Sequence, residues 1–152
     1  MNPISIRRAR LEDAAVIHAL LCELEELLGA TSKIQRTLEN IQEYGFSEAP
    51  CFEALIAWSG DEAVGLVVFF REFSTWKGAP GVYVQDLIVS PGLRGSGLGS
   101  QLMEAVFEST RDWGAKYCKL TVHAGNESAI AFYRHLGFQE VENEHVLILD
   151  DL

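Results

Sequence analysis

Basic side chains are scarce in this chain. Lysine and arginine together number 12 against 22 aspartates and glutamates, for a formal net charge of -10. A body this negative repels phosphate backbones, which argues against a nucleic-acid partner, and it mildly draws cationic ligands such as amines. Cysteine is scarce too: only Cys22, Cys51 and Cys118, far apart. That odd count and spacing gives neither a disulfide framework nor a set of metal ligands, so no metal is expected. Each cysteine lies in an apolar run and reads as a small buried hydrophobe, compatible with a reducing cytoplasm. Long apolar runs are missing as well. None approaches the ~20 residues that cross a bilayer, and Met1 to Arg10 has no apolar core of a secretory signal, so no membrane role is expected. A disorder-type composition is also absent, with 48% hydrophobic and 10% aromatic residues. The 152 residues suit one domain, 1–152, with a real core.

What the chain does have is a clear succession of short apolar segments separated by turn residues. Ile4 to Arg8 alternates as a strand. Glu12 and Asp13 open a helix whose apolar face runs from Ile17 to Leu28, and Gly29 stops it. A second helix follows through Ile34, Leu38 and Ile41. Phe52–Trp58 and Val64–Phe70 form a hairpin about Ser59-Gly60-Asp61. Ser74–Gly81 is a loop and Val82–Val89 a third strand of this group. A helix with Leu98, Leu102 and Val106 on one face precedes a strand at Tyr117–His123. Asn126 is an N-cap for a last helix, and Val146–Leu149 reads as a final strand. This order predicts an α/β fold with one mixed sheet and helices on both faces.

The segment from Val89 to Ser100 joins a strand to a helix and holds Gly92, Gly95, Gly97 and Gly99. Such glycines let backbone N–H groups converge, and a helix N-terminus adds partial positive charge. The loop therefore suits a pyrophosphate, with Arg94 at its edge, although a plain glycine bend also fits. A P-loop is excluded by the lack of lysine here. The Gly-x-G-x-x-Gly dinucleotide fingerprint fails because, counted from Gly95, its last position is Ser100.

Arg94-Gly95-Ser96-Gly97-Leu98-Gly99 is similar to the Arg/Gln-x-x-Gly-x-Gly/Ala signature of the GNAT acetyltransferase superfamily. The stretch from Asn126 through Ala131, Phe132 and Tyr133 to Leu136-Gly137-Phe138 resembles that family's second signature, and the likeness spans essentially the whole chain. Tyr44-Gly45-Phe46, Ser74-Thr75-Trp76-Lys77-Gly78 and Gln85-Asp86-Leu87 resemble the diamine and polyamine branch. That branch usually has Glu-Asp where this chain has Gln85-Asp86, and an acidic residue where it has Leu27-Leu28. Both departures remove carboxylates that would hold a polyamine.

The resemblance implies a twisted, mostly antiparallel sheet with splayed parallel strands, and direct transfer of acetyl from acetyl-CoA to a small-molecule amine, in a cytoplasmic homodimer. It implies that Arg94, Gly95, Ser96, Gly97, Leu98, Gly99 and Ser100 hold the pyrophosphate. Leu87, Ile88 and Val89 would meet the pantetheine arm, with the Leu87 N–H facing the developing oxyanion. Tyr133 would touch the cofactor and protonate its leaving thiolate, and Asn126 would touch the cofactor arm. Asp86, placed on the face of Val84 and Ile88, would touch the amine or act as base through water. Gln85 and Trp76 would line the acceptor site, Trp76 as an apolar or cation–π wall. His123 and Glu53 are lesser candidates for the base, and Glu23, Glu25 and Glu26 read as a solvated helix face. Two alternatives stay open: a protein or peptide acceptor, and a silent acyl-CoA sensor.

Overall fold

The computed structural model describes residues 2–30 and 34–152. The chain forms two compact units, Met1–Leu120 and Thr121–Leu152. In the first unit the elements follow the order β1 (Ile4–Arg8), α1 (Ala14–Leu27), α2 (Leu38–Gly45), β2 (Glu53–Ser59), β3 (Glu62–Ser74), β4 (Ala79–Val89), α3 (Leu98–Ser109) and β5 (Cys118–Leu120). The second unit carries α4 (Glu127–His135). Among the described residues no helix is long and apolar enough to cross a membrane.

The five strands lie side by side in sequence order. β1 to β4 pair antiparallel, and β5 joins β4 in parallel. The mixed, mostly antiparallel sheet is the one the segment order predicts. One face carries α1 and α2: Ile17, Leu20, Leu21 and Ile41 pack on Ala54, Ile56, Leu66, Val68 and Ile88. The other face carries α3, whose Leu98, Leu102, Met103 and Val106 are buried. Gly65 marks that contact, since a Cβ there would sit 3.0 Å from Leu102 Cδ1. Helices thus cover both faces, and the buried residues Val64 to Phe69 of β3 feed one core or the other by strand alternation.

Several expectations need correction. The second helix leaves out Ile34, because Thr37 caps it and accepts from the Asn40 N–H. The loop expected over Ser74–Gly81 narrows to residues 75–78, because the β3–β4 ladder continues to the Ser74–Ala79 pair. Val146–Leu149 forms no strand; Val146, Leu147, Ile148 and Leu149 are 74–90% exposed. An apolar run has strand propensity, but a strand exists only where a neighbour takes its ladder. The strand expected over Tyr117–His123 shrinks to Cys118–Leu120 for the same reason, because β4 offers it only Val82–Val84. The cysteines are not core residues: Cys51 is exposed, and Cys22 and Cys118 are half-buried. Finally, Leu27 and Leu28 do not join the α1 core face, being 61% and 62% exposed.

Candidate active site

The pairing of β3 with β4 contains one irregularity. Val68 pairs with Asp86 while Phe69 pairs with Val84, so Gln85 is the extra residue of a bulge. Opposed residues of an antiparallel pair share a face. Val84 therefore lies with Phe69, which meets the Trp113 ring at 6.1 Å on the α3 side. Asp86 lies with Val68 and Ile88, on the side of α1 and α2. This corrects the strict alternation that put Asp86 with Val84: the bulge changes the parity between them. Gln85 itself is exposed.

The bulge also decides where the backbone of β4 points. The Ser90 N–H donates to the Val64 carbonyl at 2.9 Å, one step past the Val89–Gly65 pair. Bonded and non-bonded pairs alternate along an antiparallel ladder. Ile88 thus bonds to β3, while the amide and carbonyl of Leu87 and Val89 point away from it, toward the β5 side. β5 pairs only with Val82, Tyr83 and Val84. In this unit the edge of β4 from Leu87 to Val89 therefore has no strand partner on that side.

That open edge runs through a 3₁₀ turn, Pro91–Leu93, into the glycine loop. Gly95 and Gly97 have φ of +78° and +91°, with nothing within 4 Å of an added Cβ. Both are left-handed conformations that favour glycine. Gly97 is the N-cap of α3, and no side chain caps the helix. The first backbone bond into the helix is from the Gln101 N–H to the Gly97 carbonyl, at 3.1 Å. The amides of Leu98, Gly99 and Ser100 belong to the first turn, whose donors have no partner within the helix. They face a loop in which Arg94, Gly95 and Ser96 are exposed. Open donors, helix polarity and a nearby guanidinium suit a diphosphate.

On the opposite side of the sheet, Asp86 faces a polar cluster. Arg36 donates from its two terminal nitrogens to Glu25 at 2.5 and 2.7 Å. Its Nε donates to His18 Nδ1 at 3.3 Å, and one terminal nitrogen also reaches Cys22 Sγ at 3.7 Å. Burial pushes the Asp86 carboxyl above its ordinary value; the charge of Arg36 pulls it down and that of Glu25 pushes it up. Glu25 is thus a bonded, half-buried member of this cluster and not part of a solvated face, whereas Glu23 and Glu26 are exposed. The sequence reading missed Arg36. The available signal was polar residues 18, 22 and 25, spaced i, i+4, i+7 beside the apolar stripe of α1.

In the unit Thr121–Leu152, the Asn126 side chain accepts from the Ala129 N–H at 3.2 Å, so Asn126 caps α4 as expected. With that oxygen used, its amide nitrogen is the group left to donate. The Tyr133 ring meets Phe132 and Phe138 edge-on, at 5.1 and 5.5 Å.

A family model described as the Acetyltransferase (GNAT) family matches residues 16–138. The chain belongs to that family. Among relatives of this acetyltransferase, the bovine (Bos taurus) thialysine N-epsilon-acetyltransferase is 31% identical over 91% of the chain and 85% of its own length. The aminoalkylphosphonate N-acetyltransferase of Salmonella typhimurium is 28% identical over 92% of the chain and 88% of its own length. A crystal structure of an aminoglycoside acetyltransferase from an uncultured soil metagenomic sample superposes with a TM-score of 0.80 over 97% of each chain, at 18% identity. That likeness is one of fold. GNAT acetyltransferases use acetyl-CoA as co-substrate, and the open β4 edge leading into an uncapped helix turn fits that molecule's arm and diphosphate in turn.

Other sequence candidates fall elsewhere in the acetyltransferase. Trp76 is 99% exposed at the tip of the β3–β4 hairpin. Asp86 lies seven steps along the strand from Ala79, roughly 23 Å at the usual rise, so Trp76 and Asp86 do not meet within one chain. Glu53 is held by an ion pair with Arg8. His123 is exposed, and its Nδ1 accepts from the Gly125 N–H at 3.1 Å, in the turn before α4.

Proposed function

We propose that this acetyltransferase moves an acetyl group from acetyl-CoA to a primary amine of a small molecule. The observation that carries the reading is the continuity of two binding surfaces: the unpaired edge at Leu87 and Val89, and the uncapped first turn of α3. When bound, acetyl-CoA supplies an acetyl thioester: the bond from carbon to nitrogen forms, the bond to sulfur breaks, and the thiol leaves. The chain's own groups do the rest. The N–H groups of Gly97 to Ser100 and the Arg94 guanidinium neutralise the diphosphate. The outward amide and carbonyl of Val89 hold the extended arm as a strand would. The Leu87 N–H, fixed by the same ladder, donates to the acetyl oxygen as it gains charge. Asp86 accepts a proton from the incoming ammonium, since only a neutral amine has a lone pair to attack with. Tyr133 gives a proton to the departing sulfur and regains one from the second proton that the nitrogen sheds as the amide forms. A small amine is the preferred acceptor because the two relatives above are named for a lysine analogue and an aminoalkylphosphonate.

Free-thiol release from acetyl-CoA, measured with a panel of small amines and a generic peptide, tests this reading. Turnover of one small-amine class is expected. Turnover of the peptide alone would replace it with a protein acetyltransferase. Acetyl-CoA binding with no turnover of any acceptor would replace it with a sensor.

The diphosphate assignment makes a separate prediction. Gly97→Ala puts a Cβ on a residue with φ of +91°, a conformation that costs L-residues ~1–2 kcal/mol. Relaxing that strain turns the amides out of the cradle. The Kd for acetyl-CoA, measured by calorimetry, is expected to rise roughly tenfold. An unchanged Kd would remove the glycine loop from the binding surface.

A further inference from the structure

The cluster opposite Asp86 has an arithmetic of charge. Glu25 and Arg36 form a two-pronged pair, and their side chains are only 13% and 20% exposed. Two parallel N–H to oxygen bonds fix a guanidinium more firmly than any single contact. Two further N–H groups of Arg36 are also engaged: Nε with His18 and a terminal nitrogen with Cys22. The arginine is thus held from α1 by residues one and two helical turns apart, through four of its five N–H groups. Asp86, on the adjoining strand, has no ion-pair partner within 4 Å among the described residues. The charges acting on it are those of Arg36 and Glu25, in opposite directions; Val68, opposite it on β3, carries none.

We propose that Arg36, clamped by Glu25, His18 and Cys22, is a positioning and specificity residue: it cancels the second carboxylate on this face and leaves Asp86 as the single negative charge offered to the acceptor. The acceptor class follows. An amine bound here has one ammonium at Asp86, and its remaining part is uncharged or anionic. A diamine would bring a second cation to a face whose second carboxylate is already taken. The inference rests on the reading above that Asp86 faces the acceptor, but its central measurement does not depend on turnover.

The test titrates the Asp86 carboxyl by carbon-13 NMR in the free protein and in Arg36→Gln, Glu25→Gln and the double variant. Arg36→Gln leaves two carboxylates together, so the titration moves up. Glu25→Gln leaves the guanidinium unopposed, so it moves down. The double variant restores the balance and returns toward the wild type. Loosened packing alone would hydrate Asp86 and lower the titration in every variant, so the rise in Arg36→Gln is the deciding sign. Should that variant melt, Arg36→Met keeps the packed stem and carries the same expectation. Arg36→Lys, which keeps the charge, holds the wild-type value. In parallel, the ratio of kcat/KM for putrescine to that for butylamine rises roughly tenfold in Arg36→Gln. A titration that stays fixed, or falls, in Arg36→Gln overturns the role of Arg36 while leaving the acetyltransferase reading intact. A fully active Asp86→Asn enzyme overturns the placement of the acceptor and this inference with it.

Discussion

Tyr133→Phe lowers kcat for acetyl transfer by roughly 10²–10⁴-fold, the usual worth of a positioned general acid, and leaves the Kd for acetyl-CoA unchanged. The substitution removes one oxygen and keeps the ring. The ring's edge-on contacts to Phe132 and Phe138 are therefore preserved, and so is the carbonyl of residue 133, which accepts from the Leu136 and Phe138 amides at 3.1 and 3.0 Å. Those two bonds end α4 and start the Gly137 turn, so the backbone that positions the residue does not depend on the hydroxyl. Steady-state thiol release beside calorimetric binding of acetyl-CoA separates the outcomes. A kcat close to that of the wild type would strike Tyr133 from the mechanism and return the proton transfer to solvent.

Asp86→Asn has the second large effect, and it acts on activity and stability in opposite directions. As the proton acceptor, Asp86 must be ionised, so kcat/KM falls as pH drops through its titration. Burial raises that titration above the ordinary carboxyl value, and the acid limb of the wild-type profile lies correspondingly high. The variant loses roughly 10²–10⁴ in kcat/KM at neutral pH and loses the limb itself. For stability, a carboxyl raised by folding binds its proton more tightly in the native state than in the unfolded chain. Its ionisation therefore costs stability, a cost absent below the unfolded value and complete above the folded one. Asparagine is neutral and nearly the same shape. At pH 7 the variant is expected to melt above the wild type, and at a pH below both values the difference disappears. Melting curves at the two pH values check this. A variant that is equally active, with an unmoved acid limb, would show that another group takes the proton.

The parts legible in the sequence are those whose cause is local. Asn126 caps α4 because an amide oxygen can reach an N–H three residues on, and that geometry is written in the spacing. The glycine loop is legible because Gly95 and Gly97 sit where only a residue without Cβ is comfortable. The segment order gives the mixed sheet, since a helix must intervene before a parallel strand. What escaped depends on the partner. The bulge at Gln85 is a property of β3 and β4 together; nothing within Val82–Val89 says that Val84 and Asp86 face opposite ways. The bond from Arg36 to Glu25 spans eleven residues and joins α1 to a segment that reads as the start of the second helix but lies before it, so Glu25 looked like any other glutamate of an acidic helix. Val146–Leu149 misled for the converse reason: its composition suits a strand, yet no ladder receives it.

The order of the strands bears on how the sheet is assembled. β2, β3 and β4 form a meander closed by short turns, whereas β1 reaches β2 only across α1 and α2, and β5 reaches β4 only across α3. Short loops close at less entropic cost, so the meander forms early and its two flanks are added later. Until Cys118 leaves the ribosome, the whole outer edge of β4 is a bare row of donors and acceptors, and β5 then covers Val82–Val84 but not Leu87 and Val89. Such a row invites pairing with another chain. In the binding mode proposed above, the co-substrate does a second service: it occupies a stretch of β4 that β5 leaves without a strand partner.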